Sequence, residues 1–454
     1  MDRRPTRSPT PVLPLALTVG LAVLVGLFPL AAQARPAPHD DPAADAPVAV
    51  LLADPAALAD WLRAHHPKVR AAAARVDQAG AEARQSGVLP NPSLALSLSN
   101  IALGRTTPPG LGFNDTAIWS AQLAETVELG KRGPRMASAR LRLEAARERF
   151  RDDLASAMGD ARAALARVAW LRARQAVLDE SLAQARQILE LERSRRDHGD
   201  LSGNDWDRLA LDTLTLQTDV AQNRVELDAA TSACRAALAA PCPVGPLDLA
   251  GLRGAAQAPA DVGDPGPWLE RRPDLRALAL ERGSARQDEV LARRRVIPDP
   301  TVAVTYTHDR FTVSGDNANV LSFSVSFPLP AFDRGQHDAA RAAGRAGELE
   351  LSAEAIREEA AAEVRALLQR RAFVEQALAD VGGLALPASK SVLDSTVTAF
   401  DRGQISMTDL LLARRTHTAL LLKAIDLEFE AFSVRNDLRQ ALGLDAEAAG
   451  KPVE

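Results

Sequence analysis

The chain has 454 residues, of which 46% are hydrophobic, 25% charged and only 4% aromatic, with a formal net charge of −5. That is ample apolar material for a folded core. The acidic balance argues against nucleic acid as a partner, and a mixture dominated by Ala, Leu, Arg and Glu favours long helices packed side by side over a mixed globule.

The N-terminus reads as a targeting segment. Arg3, Arg4 and Arg7 precede an apolar run from Leu15 to Leu30, and Ala32-Gln33-Ala34 offers a cleavage site. This is the layout of a secretory signal peptide over residues 1–34. Its removal takes away three Arg and one Asp and leaves the chain more acidic. No Cys lies near the cleavage site, so a lipidated mature N-terminus is not expected. Residues 35–54, rich in Pro, Ala and Asp, form a flexible arm.

From Pro55 to Gly87 the pattern is helical, with Leu58, Trp61, Leu62, Val69 and Val76 on one side. Leu89-Pro90-Asn91-Pro92 ends it, since a helix does not cross such a run. The period then changes to two. In strand 93–100, Leu94, Leu96 and Leu98 alternate with Ser93, Ala95, Ser97 and Ser99; in strand 117–125, Trp119, Ala121 and Leu123 alternate with Ser120, Gln122 and Ala124. The two make a hairpin. Pro134 to His198 is one helix, with Leu178, Leu182, Ala185 and Leu189 at coiled-coil spacing, on the order of 95 Å long. After a short break, Asp205–Ala239 is a second helix. Cys234 and Cys242 lie close together where it ends; in an oxidising compartment they could pair, and two unlinked small residues are an equal alternative. Residues 246–267 form a linker.

The sequence then starts over. Trp268–Val296 is helical, and Ile297-Pro298-Asp299-Pro300 repeats the earlier Leu89-Pro90-Asn91-Pro92. Strand 301–308 sets Val302, Val304 and Tyr306 against Thr301, Ala303, Thr305 and Thr307. Strand 320–327 sets Leu321, Phe323, Val325 and Phe327 against Ser322, Ser324 and Ser326. Asp333–Arg402 is a second long helix, kinked near Gly382-Gly383 and Pro387, and Thr408–Leu442 is the last. The break between them, Phe400–Asp409, matches Asp197–Asp205: Gly403, Ile405, Ser406 and Asp409 answer to Gly199, Leu201, Ser202 and Asp205. Gly permits the positive φ that ends a helix, and Ser followed by an acid suits the start of the next. Each break is the tip of a helical hairpin. The chain is thus one unit built twice, over residues 55–245 and 268–445, with a polar tail at 446–454.

Four strands of this length, each with one apolar and one small polar face, suit a transmembrane β-barrel wall; a soluble sheet over a core is the rival. Four strands cannot close a barrel, and open edges do not survive in lipid. A closed cyclic oligomer follows: two copies would give a barrel too narrow for a channel, three a twelve-stranded one with a lumen.

The order of elements, the two Pro-x-Pro strand openings and the two G-x-[LI]-S-x-x-D tips resemble the outer-membrane efflux protein family, the TolC-like ducts. The stretch P-N-P-S-L-A-L-S-L-S-N, followed by A-E-T-V-E-L-G-K-R-G, is most similar to the outer-membrane subunits of cobalt–zinc–cadmium efflux systems. The resemblance implies a mainly α fold with a transmembrane β-barrel, a homotrimer in the outer membrane extending into the periplasm, a periplasmic adaptor and an RND-type inner-membrane pump. It implies a passive duct, with no enzymatic activity and no cofactor. Gly199, Leu201, Ser202, Gly403, Ile405 and Ser406 would contact the adaptor. Asp409, with Asp205 as its counterpart, would line the periplasmic entrance, although the family's second acid falls on Leu412 here. Leu94, Leu96, Leu98, Val302, Val304, Tyr306, Leu321, Phe323 and Val325 would face lipid. A drug or protein cargo on the same fold, and a secreted coiled-coil scaffold, are the competing readings. No G-x-S-x-G, H-E-x-x-H or glycine-rich phosphate loop occurs. His308, His337 and His417 read as surface or packing residues rather than metal ligands.

Overall fold

A computed structural model describes residues 54–106, 109–198, 202–242, 256–259, 262–310 and 317–448. The signal peptide, the arm through residue 53, most of the linker, the tail from residue 449, and Gly199 and Leu201 lie outside the described residues.

The helical pattern of 55–87 is two helices rather than one. Helix α1, Pro55–His65, is capped by Asp54, whose carboxylate accepts from Ala56 N at 2.8 Å. It ends at extended His66, because Pro67 disfavours helical backbone in the residue before it. Pro67 then opens α2, Pro67–Gln85, where its missing N–H costs nothing. Strand β1, Ser93–Ser99, and strand β2, Ile118–Thr126, follow. Helix α3 runs unbroken over Arg132–Asp197, and α4 over Gly203–Leu238.

In the second repeat Pro273 has the same effect as Pro67. It splits the expected helix into a single turn, Gly266–Leu269, and α5, Pro273–Arg293. Strands β3, Thr301–Asp309, and β4, Asn319–Ser326, come next. The second long helix is α6, Gln336–Asp380, a π turn at Val381–Ala385, and α7, Leu386–Asp401. The π turn contains Gly382 and Gly383 and precedes Pro387. It widens the helix where proline removes a donor, so the kink is a bulge and the helix is not broken. Helix α8, Met407–Ala441, and a turn at Asp445–Ala448 complete the described residues.

The core lies at mid-height. There Leu58, Leu62, Val69 and Val76 of α1 and α2 pack on Leu154, Met158, Leu165 and Leu171 of α3. Cys234 and Cys242 are buried in the same cluster and joined by a disulfide. The side chain of Arg162 is buried to 1% exposure and forms an ion pair with Asp445, buried equally. Its Nε donates to Asn436 Oδ1 at 3.0 Å, and Arg439 holds the second Asp445 oxygen at 2.7 Å. The C-terminal turn is thereby clamped to the middle of α3. Among the described residues, no helix is long and apolar enough to cross a membrane.

Candidate functional site: the sheet wall and the helical tips

The four strands form one antiparallel sheet in the order β1-β2-β3-β4. Both hairpins are as expected from the alternation. The pairing of β2 with β3 joins the two repeats edge to edge. That join is reinforced below the strands: Val127 N donates to Pro300 O at 2.9 Å, and Asp299 accepts from Leu129 N at 2.9 Å and from Lys131 Nζ at 2.7 Å.

Residues opposite one another in a ladder share a face, so the register decides whether the apolar residues form one surface. They do. Leu94, Leu123, Val304 and Phe323 make one row across all four strands, and Leu96, Ala121, Tyr306 and Leu321 the next. Val302 pairs with Val325, and Leu98 with Trp119. The other face carries rows such as Ala95, Gln122, Thr305 and Ser322. Leu94, Leu96, Leu98, Val302, Tyr306, Leu321, Phe323 and Val325 are all exposed, Phe323 to 74%; Val304, in a central strand, is half-buried. Among the described residues the sheet is a single layer, no helix packs over its apolar face, and the outer edges of β1 and β4 have no strand beside them.

At the opposite end of the helices stand the tips. Ser406 caps α8 and forms a reciprocal capping box with Asp409: Asp409 N donates to Ser406 Oγ at 3.3 Å, and Ser406 N donates to Asp409 Oδ2 at 3.2 Å. The Ser406 hydroxyl also donates to Asp409 Oδ2, at 2.7 Å. These bonds, the hydroxyl's first, hold the exposed Asp409 carboxyl below the usual range. Ser202 caps α4, accepting from Asp205 N at 3.1 Å and donating its hydroxyl to Asp205 Oδ2 at 2.8 Å, without the reciprocal backbone bond. Gly403 has φ +68, the left-handed conformation expected of it. Ile405 is half-buried rather than fully exposed. Beneath the tips, Leu209, Met407, Leu410 and Leu411 form one apolar cluster with Ile188, Leu189, Val397 and Phe400. The two hairpins therefore share a core at their ends.

A set of charged residues missed in the sequence ties the hairpins together there. Arg415 Nε on α8 reaches Asp212 Oδ1 on α4 at 2.5 Å. Arg208 on α4 donates to Thr408 Oγ1 at 2.8 Å and lies 3.9 Å from Asp205. Arg414 is half-buried beside Asp212, its Nε has no hydrogen-bond partner, and burial lowers its pKa. Asp212, Arg414 and Arg415 border a cavity of about 590 Å³ between the hairpins, lined also by Glu180, Asp219, Lys390 and Asp394. No local spacing links α4 to α8, so nothing in the sequence marked these residues as partners. Among the described residues, no group of His, Cys, Asp or Glu could hold a metal ion. His417 is engaged with Ser389 at 2.9 Å.

The profile of the family described as outer membrane efflux protein matches residues 58–240 and 266–444, one match per repeat. No curated protein sequence matches the chain at a significant level. Several solved structures share its fold, among them the following three. The outer-membrane channel OprN is 20% identical, covering 87% of this chain and 91% of its own, with a TM-score of 0.71. CusC, described in terms of folding and transmembrane channel formation, is 18% identical, covering 87% and 92%, with a TM-score of 0.71. The outer membrane protein VceC of Vibrio cholerae is 19% identical, covering 85% and 95%, with a TM-score of 0.68.

Proposed function

Because the chain belongs to the outer membrane efflux protein family, we propose that three copies form the passive exit duct of a three-part pump that expels heavy-metal cations. Twelve strands close a barrel across the outer membrane, and the helical hairpins form a tunnel reaching into the periplasm. The tips meet a periplasmic adaptor, which joins the duct to a proton-driven inner-membrane pump of the RND type. The observation that carries the duct is the single-layer sheet: one apolar face, one small polar face and two bare edges. Such a sheet is unsatisfied in water and in lipid until copies join edge to edge.

The metal cargo is supported by the likeness of the segment around Pro90–Asn100 to the heavy-metal branch, and by Asp409. Its carboxyl is held ionised by Ser406, so three copies around a narrow mouth would attract divalent cations. Deleting the gene in its host should lower tolerance of cobalt, zinc or cadmium and leave tolerance of dyes and antibiotics unchanged. The reverse pattern would assign the duct to a drug pump. In planar bilayers, Asp409→Asn should reduce cation selectivity and weaken block by divalent ions. A variant indistinguishable from the parent would leave Asp409 a helix cap only.

A further inference from the structure

We propose that the cavity between the two hairpins is a binding site for a small amphipathic anion, a single negative charge on a short apolar body. Its occupant ties the hairpins together. The site stands apart from the reading of the chain as a duct; only its effect on the mouth rests on that reading.

The walls described come from α3, α4, α7 and α8 of one chain, so no second copy is needed to form the cavity. Its volume of about 590 Å³ lies within the range of sites for small organic molecules, about 300–1,000 Å³. It interrupts the apolar seam of the lower helices. Leu178, Leu216 and Leu422 belong to one apolar cluster; Ile188, Leu209 and Leu411, about three turns nearer the tips, belong to another. All of them line the gap between. Side chains that face a gap forgo contact on that side, and an apolar body placed there restores it.

Arg414 sets the charge of the occupant. Arg415 takes the Asp212 carboxylate, at 2.5 Å, and among the described residues Arg414 makes no hydrogen bond and no ion pair. Its Nε is buried without a partner. A half-buried guanidinium in this position has lost water and gained no acceptor, which is costly. An anion in the cavity supplies the acceptor. Lys390 on α7 is a second cation in the wall with no ion-pair partner among the described residues. Glu180, Asp219 and Asp394 also line the cavity, but they are exposed. They disfavour a multiply charged anion such as phosphate, while Arg414 repels a cation of the same shape. A single negative charge on an apolar body meets both conditions.

Such an occupant touches both hairpins at once: Leu209 and Leu216 on α4, and Leu411, Arg414 and Leu422 on α8. Parting α4 from α8 would open the cavity and remove contacts from one side. A ligand shifts an equilibrium by its differential affinity for the two states, and here the closed arrangement alone offers the whole site. Occupancy therefore holds the mouth shut.

The probes are octanoate, its cationic counterpart octyltrimethylammonium, and inorganic phosphate. Each is titrated calorimetrically into the purified protein in phospholipid nanodiscs, with empty nanodiscs as the blank. Octanoate should bind saturably, one molecule per chain, and the other two at least about tenfold more weakly. Arg414→Gln keeps a polar side chain and removes the charge. It should weaken octanoate binding by at least about tenfold, the loss of one hydrogen bond to a charged group. Arg414→Lys should recover most of that loss. Leu216→Trp, which fills the cavity and leaves Arg414 in place, should abolish binding. In planar bilayers, octanoate should lower the open probability of the parent and leave that of Arg414→Gln unchanged. Equal octanoate affinity in the parent and Arg414→Gln, or no saturable binding to the parent, overturns the site, as does equal binding of octyltrimethylammonium. Binding that depends on Arg414 but leaves open probability unchanged supports the site and overturns the tie between the hairpins. If the parent conducts no ions at all, the duct reading fails, and the calorimetry still decides the site.

Discussion

The seam between the two hairpins offers the sharpest perturbation. Asp212 and Arg415 meet at 2.5 Å, with the Asp212 side chain 12% exposed and that of Arg415 60%. A fully exposed pair would contribute about 0.2–1 kcal/mol. A charge-assisted bond to a mostly buried carboxylate lies at the upper end, so about 1 kcal/mol per chain is a fair figure. In a three-chain duct whose mouth widens by parting α4 from α8, three seams open together. The sum is about 3 kcal/mol, roughly a hundredfold in the closed-to-open ratio. Asp212→Asn is a cleaner change than Arg415→Ala, because the half-buried Arg414 beside Asp212 could replace the lost Arg415. The assay is single-channel recording in planar bilayers at low and high salt. Asp212→Asn should raise open probability severalfold to about a hundredfold at low salt. At 1 M salt, where the screening length is about 3 Å, the difference between parent and variant should narrow without vanishing, because the Asp212 carboxylate is mostly buried. Equal open probabilities at low salt, or equal salt dependence in the two proteins, would show that the seam pair does not hold the mouth.

Other perturbations address the frame. Burial, then the negative charge of Asp274, pushes the Asp152 carboxyl up to about 6. A raised carboxylate pKa favours the folded state when protonated, so its contribution is full below the unfolded value near 4 and is lost as pH rises through 6. Asp152→Asn should therefore raise the thermal midpoint at pH 7 and change it little at pH 4; an equal shift at both values would refute the assignment. Asp445→Ala leaves Arg162 buried without its partner and should cost about 3–5 kcal/mol. In thermal melts, Arg162→Met with Asp445→Ala should recover part of that loss. On the sheet, Val325→Arg should block arrival in the outer membrane, since a cation on the lipid face costs about 2–4 kcal/mol near the midplane. Ser324→Arg, on the other face, should fractionate with the parent, and equal fractionation of the two variants would reverse the assigned faces.

Much of this architecture was legible because it is locally encoded. Alternation in Ser93–Ser99 and Asn319–Ser326 fixes which side chains share a face, and a one-residue slip would have scattered the rows through Phe323 and Leu321. The Ser-x-x-Asp spacing at both tips predicts a cap, and both caps form. The breaks at Pro67 and Pro273 were equally visible, but the apolar periodicity running through them made each pair of helices read as one. What the sequence could not reveal is non-local. The β2–β3 pairing, the clamp of Asp445 on Arg162 and the Asp212–Arg415 seam each join residues far apart in the chain, and no spacing rule relates them. The disulfide falls between: Cys234 and Cys242 are near in sequence, but their pairing depended on how Ala239 turned the chain, with φ +53.

The bare edges of β1 and β4 also have a genetic consequence. In a three-chain ring each chain lends one edge to the neighbour on either side, so a single faulty edge leaves the whole ring open. A variant with proline in the free edge of β4 would not simply be inactive. Expressed beside an equal amount of parent protein, it would leave only about one ring in eight free of the defect if chains mix at random. Such alleles should behave as dominant, whereas a change in residues 1–34 that stops export, and so never delivers a chain to the ring, should be recessive.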